Sequence, residues 1–161
     1  EFPAELYPAI IERLRGTPAR AGELAGSVES SLLTRAPDKG WSIQRHIGHL
    51  ADLEDLFIAR LDAYERGETV VPAADMANAR TVEADHDART RDEVLDRLRA
   101  MRNATIARLE AYPRDFFARS AWHERLGIQK RVVDTCVFFA DHDDHHLALA
   151  QMVKREVQRV R

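Results

Sequence analysis

The sequence predicts an all-α protein, a four-helix bundle with a long connection between the second and third long helices. Three observations predict it. Apolar residues recur three and four positions apart in four separate stretches of the 161-residue chain. No run alternates apolar and polar residues strictly enough to make a strand. Between the second and third helical stretches lie residues 68–89, with Pro72, many alanines and aspartates and little periodicity, a length of connection that usually signals function or mobility. The length suits one domain, residues 1–161, with a single core.

Each element has a local reason. Leu6, Ile10 and Leu14 share one helical face within residues 3–15, with Gly16 a natural stop and Pro8 restricting that helix to its second half. Thr17 and Pro18 then read as a start signal, a capping hydroxyl ahead of a proline whose missing N–H costs nothing in a first turn. Leu24, Val28 and Leu32 continue as the apolar ridge of the first long helix. Residues 35–40 make a turn through Pro37 and Gly40. Ser42 is placed to cap the second long helix, whose stripe is Ile43, His46, His49, Leu50, Leu53, Phe57, Leu61 and Tyr64. Glu54, Asp55, Asp62 and Glu65 fall outside that stripe or at its edges, and Gly67 ends the helix. Thr90 and Glu93 form a capping box for a third helix carrying Val94, Leu95, Leu98, Met101, Thr105 and Leu109 as far as Tyr112 and Pro113. A link over residues 114–127 holds Phe116, Phe117, Trp122 and His123, and the fourth helix spans about residues 129–160.

Lys and Arg number 24 against 27 Asp and Glu, a net charge of -3. No basic excess points to nucleic acid, and no lysine-rich run points to a membrane surface. Apolar runs fall far short of the roughly 20 residues that span a bilayer, and the first residues carry no signal-peptide pattern. The expected location is cytoplasmic. The single Cys136 cannot form an internal disulfide, which suits a reducing compartment. It projects about 120° from His142, as a small core residue rather than a ligand or nucleophile.

Chemistry concentrates in residues 138–149, where His142, His145 and His146 fall together. On a helix His142 and His146 stand about 40° and about one turn apart, so both reach one ion. Thr135, Leu149 and Val153 project within about 20° of His142, which turns the pair toward the core. Core histidines bonded to backbone or carboxylates are the plain alternative, but two buried imidazoles in register each need a specific partner. His49, inside the second helix's stripe, is the best third ligand. Three neutral imidazoles around a divalent ion leave at least one position for water or substrate, as in catalytic rather than structural sites. Such an ion stabilises the deprotonated form of water or a thiol.

Around these ligands stand the catalytic candidates Asp52, His123 and His145. Asp52, and less well Asp143, is placed to orient a ligand imidazole; the ordinary reading of each is a solvated surface carboxylate. His123 is either a proton shuttle or a plain loop histidine. His145 and His46 project about 60° from the neighbouring ligands, as core or rim residues or spare ligands. Arg60, about 20° from His49 and roughly three turns along, is the candidate for binding an anionic cofactor or substrate. The reading favoured for it is instead a buttress, paired with a carboxylate.

Trp41-Ser42-Ile43 followed by His49-Leu50-Ala51-Asp52, and His142-Asp143 with His146-Leu147 near the C-terminus, resemble the two signature stretches of the DinB/YfiT-like superfamily. Thr17-Pro18, Arg60-Leu61 and Gly127 also match its layout. The resemblance implies a four-helix bundle, often a homodimer, with a divalent ion, nickel or zinc, held by residues matching His49, His142 and His146. It also implies a small-molecule substrate, and either thiol-dependent S-transfer or isomerisation using a low-molecular-weight thiol, or metal-dependent hydrolysis. Many members have no assigned reaction, so whether this chain is an enzyme stays open. The alternative is a non-enzymatic, stress-related helical dimer that binds metal or a small molecule. A ferritin-like di-iron site is rejected, because only Glu83 and His86 give the required Glu-x-x-His spacing and they fall in the long connection. An HD-type phosphohydrolase accounts for His142 and Asp143 less well than the His142/His146 pair does.

Overall fold

The computed structural model describes residues 2–159. Its elements are α1 (Tyr7–Gly26), α2 (Ser30–Leu33), α3 (Ile43–Glu65), α4 (Ala79–Glu83), α5 (Arg91–Ala111), β1 (Ser120–His123), β2 (Ile128–Arg131) and α6 (Val132–Arg159). Helices α1 and α3 each pack on both α5 and α6, which makes the expected four-helix bundle with α1 and α3 on one diagonal and α5 and α6 on the other.

Two of the long helices start as their sequences predict. Ser42 Oγ accepts the Arg45 amide at 2.9 Å at the head of α3, and Thr90 and Glu93 form the reciprocal capping box of α5. The first helix does not. It begins at Tyr7 with Pro8 in the first turn, where no amide is needed, and runs through Gly16, Thr17 and Pro18 without a break. Pro18 has no N–H for the Leu14 carbonyl four residues earlier. That carbonyl instead accepts Arg102 Nη1 from α5 at 2.9 Å, so a neighbouring helix supplies the donor that proline lacks. The chain turns at Ser27, and Leu32 belongs to the separate short α2.

The hairpin was not expected. β1 and β2 pair antiparallel, Ser120 opposite Arg131 and His123 opposite Ile128; four residues each is too short for alternation to register. Gly127 closes the turn at φ +62. Because β2 takes residues 128–131, α6 starts at Val132, three residues later than periodicity suggested; Val160, the expected end, lies outside the described residues. The connection over residues 68–89 is ordered by its partners. Its first part lies along the hairpin, with the Val71 amide on the Trp122 carbonyl at 3.0 Å. Farther on, Gln44 Nε2 holds the carbonyls of His86 and Arg89 at 2.7 and 2.8 Å.

The core is in two halves. An aromatic half contains Phe57, Leu61, Phe116, Phe117 and Phe139, with Phe57 and Phe139 stacked at 4.0 Å. An aliphatic half contains Leu24, Ile47, Leu50, Leu98 and Val153. Between them each long helix contributes polar residues: Thr17 from α1, Glu54 from α3, Arg102 and Thr105 from α5, and Asp143 from α6, all buried. Glu54 is therefore not an edge residue, and neither Asp143 nor Asp52, which is also buried, is a surface carboxylate. Arg102 donates to Glu54 Oε1 at 2.6 Å and to both Asp143 oxygens at 2.6 and 3.2 Å, while Thr17 and Thr105 hydroxyls donate to the same two acids. Cys136 is fully buried, as expected, and burial pushes its thiol up to about 12.

Candidate metal centre

Outside that polar layer, on the seam between α3 and α6, the structure brings His49, His142 and His146 together. Each offers a ring nitrogen, all within 4.8 Å of one another. His49 Nε2 and His142 Nε2 are 3.3 Å apart. Two imidazole nitrogens on one tetrahedral ion with bonds of about 2.0–2.1 Å stand roughly 3.3 Å apart, so the pair already has a ligand separation. Burial first, and the neighbouring histidines next, lower His146 to about 2; burial, with His142 adding to it, lowers His49 to about 4. Burial lowers His142 too, so all three rings favour the neutral form, in which one nitrogen of each is free to ligate.

The donor pattern around His49 fixes its tautomer. Thr81 has one hydroxyl proton and gives it to Asp52 Oδ2 at 2.9 Å. Toward His49 Nδ1, at 2.8 Å, the same hydroxyl can only accept. His49 thus carries its proton on Nδ1 and leaves the Nε2 lone pair facing His142, the arrangement a metal ligand needs. Asp52 does not touch the ligand ring, as the sequence suggested, but acts through Thr81. Its remaining bonds come from His86 Nε2 at 2.7 Å and Arg97 Nη1 at 2.6 Å. Burial alone would raise this carboxyl, yet the bonds from His86 and Arg97 outweigh it and bring it down to about 2.

His46 plays the matching part for the third ring. Its Nδ1 is 2.9 Å from His146 Nδ1, which leaves His146 Nε2 for the shared centre, and Trp41 stacks on His146 at 5.7 Å. Two cavities reach the cluster. One of about 210 Å³ includes His49, Asp52, Leu53, Leu56, Ala73 and Thr81 in its walls. The other, about 450 Å³, includes Trp41, His46, His146, Leu149 and Met152. Asn78, held at φ +52 ahead of α4, lines both.

A family model described as the DinB superfamily matches residues 13–150. The chain belongs to the DinB superfamily. Among solved structures, this DinB-superfamily chain resembles YfiT from Bacillus subtilis, described as a probable metal-dependent hydrolase with an unusual four-helix bundle topology, at 20% identity and TM-score 0.84 over 98% of this chain and 91% of that one. It resembles the colibactin self-resistance protein ClbS, solved with double-stranded DNA, at 12% identity and TM-score 0.69 over 91% and 94%. The mycothiol-dependent maleylpyruvate isomerase matches at 15% identity and TM-score 0.64 over 91% of this chain and 60% of that longer one. These likenesses establish a shared fold. No curated protein sequence matches the chain. Among the described residues, no helix is long and apolar enough to cross a membrane.

Two other candidates of this DinB-superfamily chain stand apart. His145 is exposed on the outer face of α6, its ring 5.4 Å from that of His146. His123 is in β1 and buried, its Nε2 3.2 Å from Arg60 Nη2. Arg60 is also buried, and the expected carboxylate is missing: among the described residues its partners are the Pro72 carbonyl and His123. Thr81, His86 and Arg97 escaped sequence reasoning. One signal was available for His86. Gly48 sits mid-helix beside His49, and a Cβ there would lie 2.3 Å from the His86 ring, so the glycine marks a close approach of the connection to α3.

Proposed function

We propose that this DinB-superfamily protein is a divalent-metal-dependent enzyme acting on a small molecule, with His49, His142 and His146 as the ligands. One observation carries the reading: three histidine ring nitrogens within 4.8 Å of one another, beside two open cavities. A divalent ion there supplies Lewis acidity and stabilises a deprotonated nucleophile, a low-molecular-weight thiol or water. The rest falls to the chain. Thr81 and Asp52 hold the His49 tautomer, His46 holds His146, and the cavity beside Trp41, Leu149 and Met152 offers an apolar wall to an electrophile. Thiol transfer is one candidate reaction and hydrolysis the second. The second is supported by the likeness to YfiT and the first by the likeness to the isomerase. A net charge of -3 supports a small-molecule substrate over nucleic acid.

Elemental analysis of the purified protein tests the centre. Nickel or zinc near one ion per chain is expected, with loss in His49→Ala and His142→Ala. His46→Ala is expected to keep an ion at affinity lower by about 10–100-fold, the usual effect of losing a group that orients a ligand. Equal metal content in wild type, His49→Ala and His142→Ala would defeat the assignment. For the reaction, consumption of a low-molecular-weight thiol with an electrophile, absent from His142→Ala, is the expected result.

A further inference from the structure

Beyond the histidines, three basic side chains from three elements converge under the hairpin: Arg60 from α3, His123 from β1 and Lys130 from β2. All three residues are buried. Arg60 Nε donates to the Pro72 carbonyl at 3.1 Å, and Nη2 meets His123 Nε2 at 3.2 Å. A guanidinium has no acceptor, so Nη2 donates, His123 Nε2 accepts, and the His123 proton sits on Nδ1. That Nδ1 and Arg60 Nη1 are both buried without a hydrogen-bond partner. Lys130 Nζ lies 4.4 Å from the Phe138 ring centroid, and Arg60 Cζ lies 5.8 Å from the same ring. Among the described residues no carboxylate bonds any of the three. Every unmet group here is a donor, and the charge is of one sign. Buried donors left unmet cost about 1–3 kcal/mol each, more when charged, so the arrangement favours an acceptor, above all one that carries negative charge.

We propose that Arg60, His123 and Lys130 form a subsite for a small carboxylate, the anionic end of the substrate handled at the histidine centre; this identity of the ligand rests on the function proposed above, whereas binding itself does not. Phe138 links the two places, since its ring is 6.0 Å from that of His142. The cavity beside His49 has Ala73 in its wall together with Asp55 and Asp75, and Pro72, the neighbour of Ala73, holds Arg60. A carboxylate offers the unmet Arg60 Nη1 a charge-assisted acceptor oxygen.

Thermal unfolding of the purified, metal-containing chain with acetate titrated at constant ionic strength tests the subsite, with inorganic phosphate as the second arm. A saturable rise in the midpoint with acetate is expected for wild type. Arg60→Gln is expected to weaken it by about tenfold or more, whereas Arg99→Gln, on the exposed face of α5, leaves it unchanged. If Arg60→Gln does not fold, Lys130→Met, which keeps the apolar stem, is expected to weaken acetate several-fold. No saturable rise in wild type, an equal rise in both Arg60→Gln and Lys130→Met, or saturation by phosphate alone would overturn the proposal. Metal content read on the same samples separates the two ideas. Retained metal with lost acetate binding in Arg60→Gln supports the subsite, and a wild type that binds acetate but holds no metal defeats the centre while leaving the subsite standing.

Discussion

Among the described residues the two largest fully buried side chains are both arginines, each 1% exposed, and their surroundings are opposite. Arg102 is closed. Its guanidinium meets Glu54, Asp143 and the Leu14 carbonyl, with Nη2 also 2.5 Å from Glu54 Oε1. Burial works against its charge, but the two acids win and hold it well above the ordinary arginine value. Arg60 is open. It has one carbonyl, one neutral imidazole, an unmet Nη1 and no acid, and burial lowers it. A buried cation with all its donors met ties helices together. One with donors to spare, beside a second cation, is half of an interaction whose other half is not part of the chain.

The largest effect expected from this contrast is at Arg102. Arg102→Met leaves Glu54 and Asp143 buried without their cation and also frees the Leu14 carbonyl above Pro18. Removing one partner of a buried ion pair costs about 3–5 kcal/mol, so urea unfolding should show a loss of that order. A loss under about 1 kcal/mol would mean the layer is not closed in the sense argued here.

Next comes the pH response of Lys130. Burial, with Arg60 adding to it, lowers this ammonium from 10.5 to about 8, while Arg125 lowers it further and Asp134 opposes. Below about pH 8 folded and unfolded chains both carry the proton, and folding bears the whole cost of burying the charge. Between about 8 and 10.5 the unfolded chain holds a proton that the folded chain has released, so stability rises with pH. The rise is at most about 3 kcal/mol. Subtracting the profile of Lys130→Met isolates it, and saturating acetate, by restoring the charge, should flatten it. A wild-type profile parallel to that of Lys130→Met would show that Lys130 is not held in a cationic nest.

A smaller effect is expected at Gly48, which tests whether the Asp52 network is closed like that of Arg102. Gly48→Ala drives a methyl into the His86 ring, and overpacking of this kind costs about 1–3 kcal/mol. Because His86 bonds the Asp52 oxygen that also receives Thr81, weakened metal retention should accompany the lost stability. Lost stability with metal affinity unchanged would uncouple the connection from the centre.

How much of this was legible in the sequence follows the same division. What repeats along one helix could be read: the four amphipathic stretches, the Ser42 and Thr90 caps, and His142 with His146 one turn apart. The placing of His49 beside them came from its position in a stripe, and the structure brings these three rings together. What depends on two distant elements left no periodic trace. Glu54 looked like an edge residue because its burial depends on Arg102, which lies 48 positions away in another helix. Thr17 and Pro18 looked like a helix start because the donor that lets the helix continue comes from α5. Arg60 was expected to have a carboxylate, the ordinary rule for a buried arginine, and the departure from that rule is the informative part.

The smallest effect on stability is expected where the effect on binding is largest. Arg60→Gln removes a charge that no acid balances, so no carboxylate is orphaned by its loss; what disappears is one bond to Pro72 and one to His123. Those are worth about 0.5–1.5 kcal/mol each, and relief from burying an uncompensated cation offsets them. The net change in urea stability without added anion should therefore stay within about 1 kcal/mol of wild type, far below the cost at Arg102. A loss as large as that of Arg102→Met would show that Arg60 is a structural tie after all, met by the fold itself, and the contrast between the two arginines would collapse.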